Sequence, residues 1–122
     1  VRVTKIFTFD SAHNLVNYHG KCEELHGHTY KLEVTVEGYP DEEGMVLDFV
    51  KLKEIVNEKI IKKLDHKYLN EVLGFNTTSE NILLWMWKEL EEELKGPNYK
   101  LYKLTLWETP TSFAEVTAED LK

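Results

Sequence analysis

Apolar and polar positions alternate most cleanly between Tyr30 and Glu37. Tyr30, Leu32, Val34 and Val36 fall on one side, and Lys31, Glu33, Thr35 and Glu37 on the other. A period of two is the mark of a strand with one buried and one solvated face, so this segment predicts an antiparallel strand ended by Gly38-Tyr39-Pro40. A first strand is predicted over residues 2–9, which are rich in β-branched and aromatic side chains. The stretch from Asp10 to Glu24 reads as polar and irregular. Beyond the turn at Asp41-Glu42-Glu43-Gly44 the period changes. Asp48 can cap a helix running to about Leu64, with Phe49, Leu52, Ile55, Val56, Ile60 and Leu64 as its apolar stripe. A second helix is predicted from the capping box Thr77-Thr78-Ser79-Glu80 through Leu83, Met86, Trp87, Leu90 and Leu94, stopping at Gly96-Pro97. Two further strands, roughly 99–109 and 113–118, complete the order ββααββ. Two amphipathic helices covering one face of a four-stranded antiparallel sheet give a two-layer α+β sandwich.

The chain has 122 residues, a length that predicts a single domain over 1–122. A hydrophobic fraction of 42% excludes a disordered chain. With 15 basic against 22 acidic residues, the formal charge is −7, which argues against nucleic-acid binding and against a membrane surface. No apolar run reaches the ~20 residues that span a bilayer, and no signal segment opens the sequence. The single cysteine excludes an internal disulfide framework and fits a reducing compartment, so a cytoplasmic protein is expected.

Chemistry concentrates in Cys22-Glu23-Glu24-Leu25-His26-Gly27-His28. His26 and His28 are two apart at the start of a strand, so both imidazoles leave one face and can converge on a metal ion. His13 follows the first strand and can reach the same place if the two strands pair. Three histidines with an open position are a catalytic zinc arrangement. Cys22 has three competing readings: a small buried side chain, a fourth ligand closing a structural Cys-His₃ zinc site, or a thiolate base. Asp65-His66 after the first helix can form an orienting pair for proton transfer, or can simply complement the helix end. Glu108 shares strand parity with Tyr102, Leu104 and Leu106, and a carboxylate on so apolar a face requires a partner: a guanidine-like ligand edge or a lysine of this chain.

Five motifs occur together: Phe9-Asp10-Ser11-Ala12-His13, Cys22-x-x-x-His26-Gly27-His28, Leu64-Asp65-His66-x-x-Leu69-Asn70, Thr78-Ser79-Glu80-Asn81 and Trp107-Glu108-Thr109. In these residues, in this order and over nearly its whole length, the chain resembles the 6-pyruvoyltetrahydropterin synthase family, in its 6-carboxytetrahydropterin synthase branch of queuosine biosynthesis. The resemblance implies a tunnelling fold (T-fold) whose subunits close into barrels, with trimers stacked into homohexamers. It implies one zinc ion per chain on His13, His26 and His28, and a proton-transfer set of Cys22, Asp65 and His66. It implies a pterin anchor at Glu108, with Thr78 and Ser79 beside the ring. The implied reaction converts 7,8-dihydroneopterin triphosphate to 6-carboxy-5,6,7,8-tetrahydropterin, acetaldehyde and triphosphate. The branch rests on the three residues between Cys22 and His26, where the animal tetrahydrobiopterin enzymes have a longer insert. Two enzyme alternatives stand beside it: triphosphate elimination without loss of carbon, and cleavage to a hydroxymethyl pterin for folate synthesis. The latter would use a glutamate of this loop, where Glu23 and Glu24 otherwise read as solvated carboxylates. A non-enzyme alternative is the structural Cys-His₃ zinc module.

Overall fold

The computed structural model describes residues 1–20 and 23–122. Its framework is one sheet with strand order β3-β1-β2-β4-β5, where β1 is Arg2–His13, β2 His26–Gly38, β3 Lys67–Tyr68, β4 Tyr99–Thr109 and β5 Ser112–Thr117. The α+β sandwich therefore has five strands where four were expected. β3 is the addition: two residues long, it lies parallel to β1 through Ser11–Lys67 and Ala12–Tyr68, so the sheet is mixed. β1 also runs past the predicted end at residue 9. Asp10 to His13 look irregular in sequence because Ser11 and His13 are polar, yet both are buried on the face that carries Phe7 and Phe9.

The helices cover that same face. α1 (Phe49–Val56) is capped by Asp48, whose side chain accepts from the Val50 amide. It runs through a π-helical turn at Asn57–Ile61 into α2 (Lys62–Leu64). Leu52, Val56, Ile60 and Leu64 are all fully buried and repeat every fourth residue. In an α-helix of 3.6 residues per turn such a repeat drifts about 40° per step, and the wider π turn absorbs that drift. Phe49, placed in the stripe from sequence, is half exposed. A short α3 (Leu69–Val72) precedes α4 (Ser79–Leu90), which buries Ile82, Leu83, Met86, Trp87 and Leu90. Its cap is Thr78, not Thr77: the Thr78 hydroxyl accepts from the Asn81 amide at 3.2 Å. One hydrophobic core joins these helices to Tyr30, Leu32, Val34, Val36, Leu101, Leu104 and Leu106 of the sheet.

A β-bulge at Thr35/Val36 leaves Tyr102 unpaired between Leu101 and Lys103. Leu101 therefore takes the inward position expected of Tyr102, and Glu108 shares its face with Leu104 and Leu106 alone. At the far end of the sheet Gly38 passes so close to the next segment that a Cβ there would lie 1.9 Å from the Asn98 carbonyl oxygen. No helix among the described residues is long and apolar enough to cross a membrane.

Candidate functional site

Strand pairing assembles the histidine cluster. His13 and His26 are cross-strand partners, and Ser11 pairs with His28, so all three imidazoles emerge from the inner face at one end of the sheet. Ring centroids are 4.7 Å apart for His13–His26, 5.1 Å for His13–His28 and 4.7 Å for His26–His28. One ligand nitrogen from each ring lies within 4.8 Å of the others.

Hydrogen bonds fix the tautomers. His13 Nδ1 lies 3.0 Å from the Thr77 carbonyl oxygen, and His26 Nδ1 lies 3.0 Å from that of Glu24. A carbonyl only accepts, so in both rings Nδ1 carries the hydrogen and Nε2 keeps its lone pair. Burial lowers the His28 pKa, and the neighbouring His13 and His26 add to that, while Glu108 opposes it. The neutral, ligand-competent imidazole is thereby favoured. His13 Nε2 and His28 Nε2 are buried with no hydrogen-bond partner among the described residues. Orphaned, converging nitrogen lone pairs are what a metal ion with nitrogen ligands satisfies, so the donor set fits a cation such as zinc.

Glu108 projects into the same place. Its Oε1 lies 3.4 Å from His28 Nε2, and its Oε2 accepts from the Ser79 hydroxyl at 2.8 Å. The partners of this carboxylate are thus a histidine and a serine, not a lysine. Thr78 is occupied as the helix cap and makes no hydrogen bond to Glu108, whereas Ser79 does. Glu23 accepts from the Leu15 amide at 3.1 Å and lies 3.6 Å from His26 Nδ1, so it is tied into the site and is not a free loop carboxylate. Cys22 lies outside the described residues.

Asp65 and His66 form a second cluster around the edge of β1. Asp65 Oδ1 accepts from the Asp10 amide and from His66 Nδ1, both at 3.0 Å, which leaves His66 Nε2 free. His66 is held in the left-handed region at φ 59°, with its amide donating to the Asp10 carbonyl at 2.7 Å. The Asp10 carboxylate points to the outer face and accepts from Thr29 at 2.5 Å. A groove lined by Asp10, Ala12, Gly27, His28, His66 and Tyr68 runs between the two clusters.

Two supports escape a reading of sequence alone. Thr77, fully buried, meets His13 through its carbonyl and its hydroxyl, the latter at 3.2 Å. Its hydroxyl also donates to Asn70 Oδ1 at 3.2 Å. Asn70 in turn clasps Asn14, accepting from its amide at 3.0 Å and donating to its carbonyl at 2.7 Å. Tyr30, which reads from sequence as one more core position, is fully buried beside the cluster with an unpartnered hydroxyl. Burial, then the charges of Glu108 and Glu23, push its pKa well up.

An α+β sheet of this order, with its helices on one face and a three-histidine cluster at one end, is a T-fold subunit. Residues 2–119 match the family model of 6-pyruvoyl tetrahydropterin synthase, and the chain belongs to that family. It is 46% identical over 101 residues to dihydroneopterin monophosphate aldolase of Pyrococcus furiosus, covering 83% of each chain. It is 34% identical to 6-carboxy-5,6,7,8-tetrahydropterin synthase of Haemophilus influenzae, covering 93% of this chain and 96% of the relative. Among solved structures, 6-pyruvoyl tetrahydropterin synthase of Caenorhabditis elegans superposes with a TM-score of 0.81 at 27% identity, covering 97% of this chain and 95% of that one. The protein is thus a member of a family of pterin-processing enzymes.

Proposed function

We propose that the chain is a zinc-dependent lyase, a 6-carboxy-5,6,7,8-tetrahydropterin synthase acting on 7,8-dihydroneopterin triphosphate in queuosine biosynthesis. The observation that carries this reading is the cluster of His13, His26 and His28 with the Glu108 carboxylate 3.4 Å from His28, in a chain whose relatives include synthases of that name.

Zinc held by the three histidines would act as a Lewis acid toward the oxygens of the substrate side chain. Glu108 accepts hydrogen bonds from the N–H groups of the pterin ring, and Ser79 holds that carboxylate by donating to Oε2. Thr78 fixes the start of α4 and so the position of Ser79. Asp65 orients His66 through Nδ1, so that Nε2 can give or take a proton at the edge of the groove. Cys22 as thiolate takes the proton from the side chain. Cys22→Ala is expected to abolish turnover while zinc stays near one per chain. Loss of metal and stability together in that variant would favour the structural Cys-His₃ module instead.

A second reading is favoured by the 46% identity to a dihydroneopterin monophosphate aldolase and by the contact of Glu23 with His26. In it Glu23 assists cleavage to a hydroxymethyl pterin. Incubation of zinc-loaded protein with 7,8-dihydroneopterin triphosphate, followed by mass spectrometry of the pterin, separates the two. A carboxyl product with acetaldehyde supports the synthase; a hydroxymethyl product supports aldol-type cleavage; an unchanged substrate overturns the first reading.

The same proposal takes residues 1–122 as one working domain in a cytoplasmic homohexamer built as a dimer of trimers. Support comes from the sheet edges: β3 pairs with only Ser11 and Ala12, and β5 pairs only with β4. Such unpaired edges are templates for further strands.

A further inference from the structure

We propose that the Tyr30 hydroxyl donates a hydrogen bond to the oxygen ligand at the open position of the metal, which makes Tyr30 a positioning residue of the site. The inference rests on the metal-centre reading of His13, His26 and His28 and adds a residue to it.

Tyr30 is locked in place by its ring. It is the cross-strand partner of Phe9 and stacks on it at 5.0 Å between centroids, with planes 10° apart. Its ring meets His28 edge-on at 5.5 Å and His13 at 6.1 Å. No part of the residue reaches solvent, and its hydroxyl has no hydrogen-bond partner among the described residues. An unpaired buried hydroxyl is costly, and a phenylalanine of the same shape would avoid that cost. The obvious protein acceptor is already engaged. Glu108 turns one oxygen to Ser79 and the other to His28. Yet the phenol lies within the fields of both Glu108 and Glu23, the carboxylates that flank the histidine cluster. The buried unpartnered polar atoms of the described residues are thus His13 Nε2, His28 Nε2 and the Tyr30 hydroxyl. The nitrogens offer lone pairs and call for a cation; the hydroxyl offers a proton and calls for an oxygen. A metal ion carrying a water or a substrate hydroxyl satisfies all three.

The test compares wild type with Tyr30→Phe, each metal-free and zinc-loaded, by thermal unfolding and by competition with a chromogenic zinc chelator. Metal-free Tyr30→Phe is expected to be at least as stable as wild type, because only an unpaired hydroxyl is removed. Zinc is expected to raise the melting temperature of wild type more than that of the variant, and to bind the variant about tenfold more weakly, the effect of losing an outer-shell partner. Equal affinities and equal zinc-induced shifts would overturn the role of Tyr30 while leaving the metal centre standing. A metal-free variant less stable than wild type would overturn it too, since the hydroxyl would then have a partner within the protein. Failure of wild-type protein to bind zinc would remove the metal centre and the role of Tyr30 with it. As a second variant, His28→Ala should erase the difference between Tyr and Phe at position 30; a difference that persists counts against the proposal.

Discussion

A side chain at Gly27 would meet only the Ser11 carbonyl, 3.7 Å from the new Cβ, so the backbone does not require glycine there. What glycine leaves open is the groove between His28 and His66. Gly27→Val is therefore expected to fold and to keep its zinc, yet to lose about a hundredfold in turnover as the substrate is displaced. Circular dichroism, metal analysis and single-substrate kinetics check the three parts. Thr77→Val removes the hydroxyl that bridges His13 and Asn70, and should weaken zinc about tenfold in chelator competition with the fold intact. Protons compete with zinc for the imidazoles, so affinity falls on acidification. Because burial lowers the His28 pKa below its ordinary 6.5, this ligand stays neutral to more acid pH than a free histidine would. Replacing Glu108, which opposes that shift, with Gln should move the loss of zinc to still lower pH, as titration across the acid range would show. The metal ligands were legible in the sequence because a two-residue spacing on a strand fixes the face of both side chains. Thr77 was not, since its role depends on the helix cap falling one residue later, a choice made by tertiary packing.

At the scale of elements, the long helix and the central strand follow from periodicity alone, whereas β3 does not. A two-residue strand has no period, and its place is set by the Asp10–His66 amide contact and by Ser11, whose hydroxyl donates to the Leu64 carbonyl. Likewise the bulge at Tyr102 breaks a parity that sequence alone extends without interruption. The buried four-residue repeat makes Ile60→Ala a cavity mutation at the π turn, with an expected loss of about 3 kcal/mol in denaturant unfolding. Gly38→Ala forces a methyl group into the Asn98 carbonyl and should cost about 2 kcal/mol, measured in the same way.

For the whole molecule, charge and edges act together. A net charge of −7 keeps separate copies apart at long range, while the open sides of β1 and β5 provide specific sites for strand pairing. Light scattering is expected to find about six times the chain mass of 14.3 kDa, and a monomer at all concentrations would refute the hexamer. The π turn bears on how such a molecule tolerates change in its gene. It holds one residue more than an α-helical turn needs, so a single-codon deletion within Asn57–Ile61 can be absorbed as ordinary helix. The helix would survive, but everything after it would start about 100° out of phase. Asp65 would then leave the helix facing away from Asp10, and the histidine after it would lose its anchor. The irregular turn thus works as a phase setting: the fold could outlast its loss, but the placement of the Asp65–His66 pair could not.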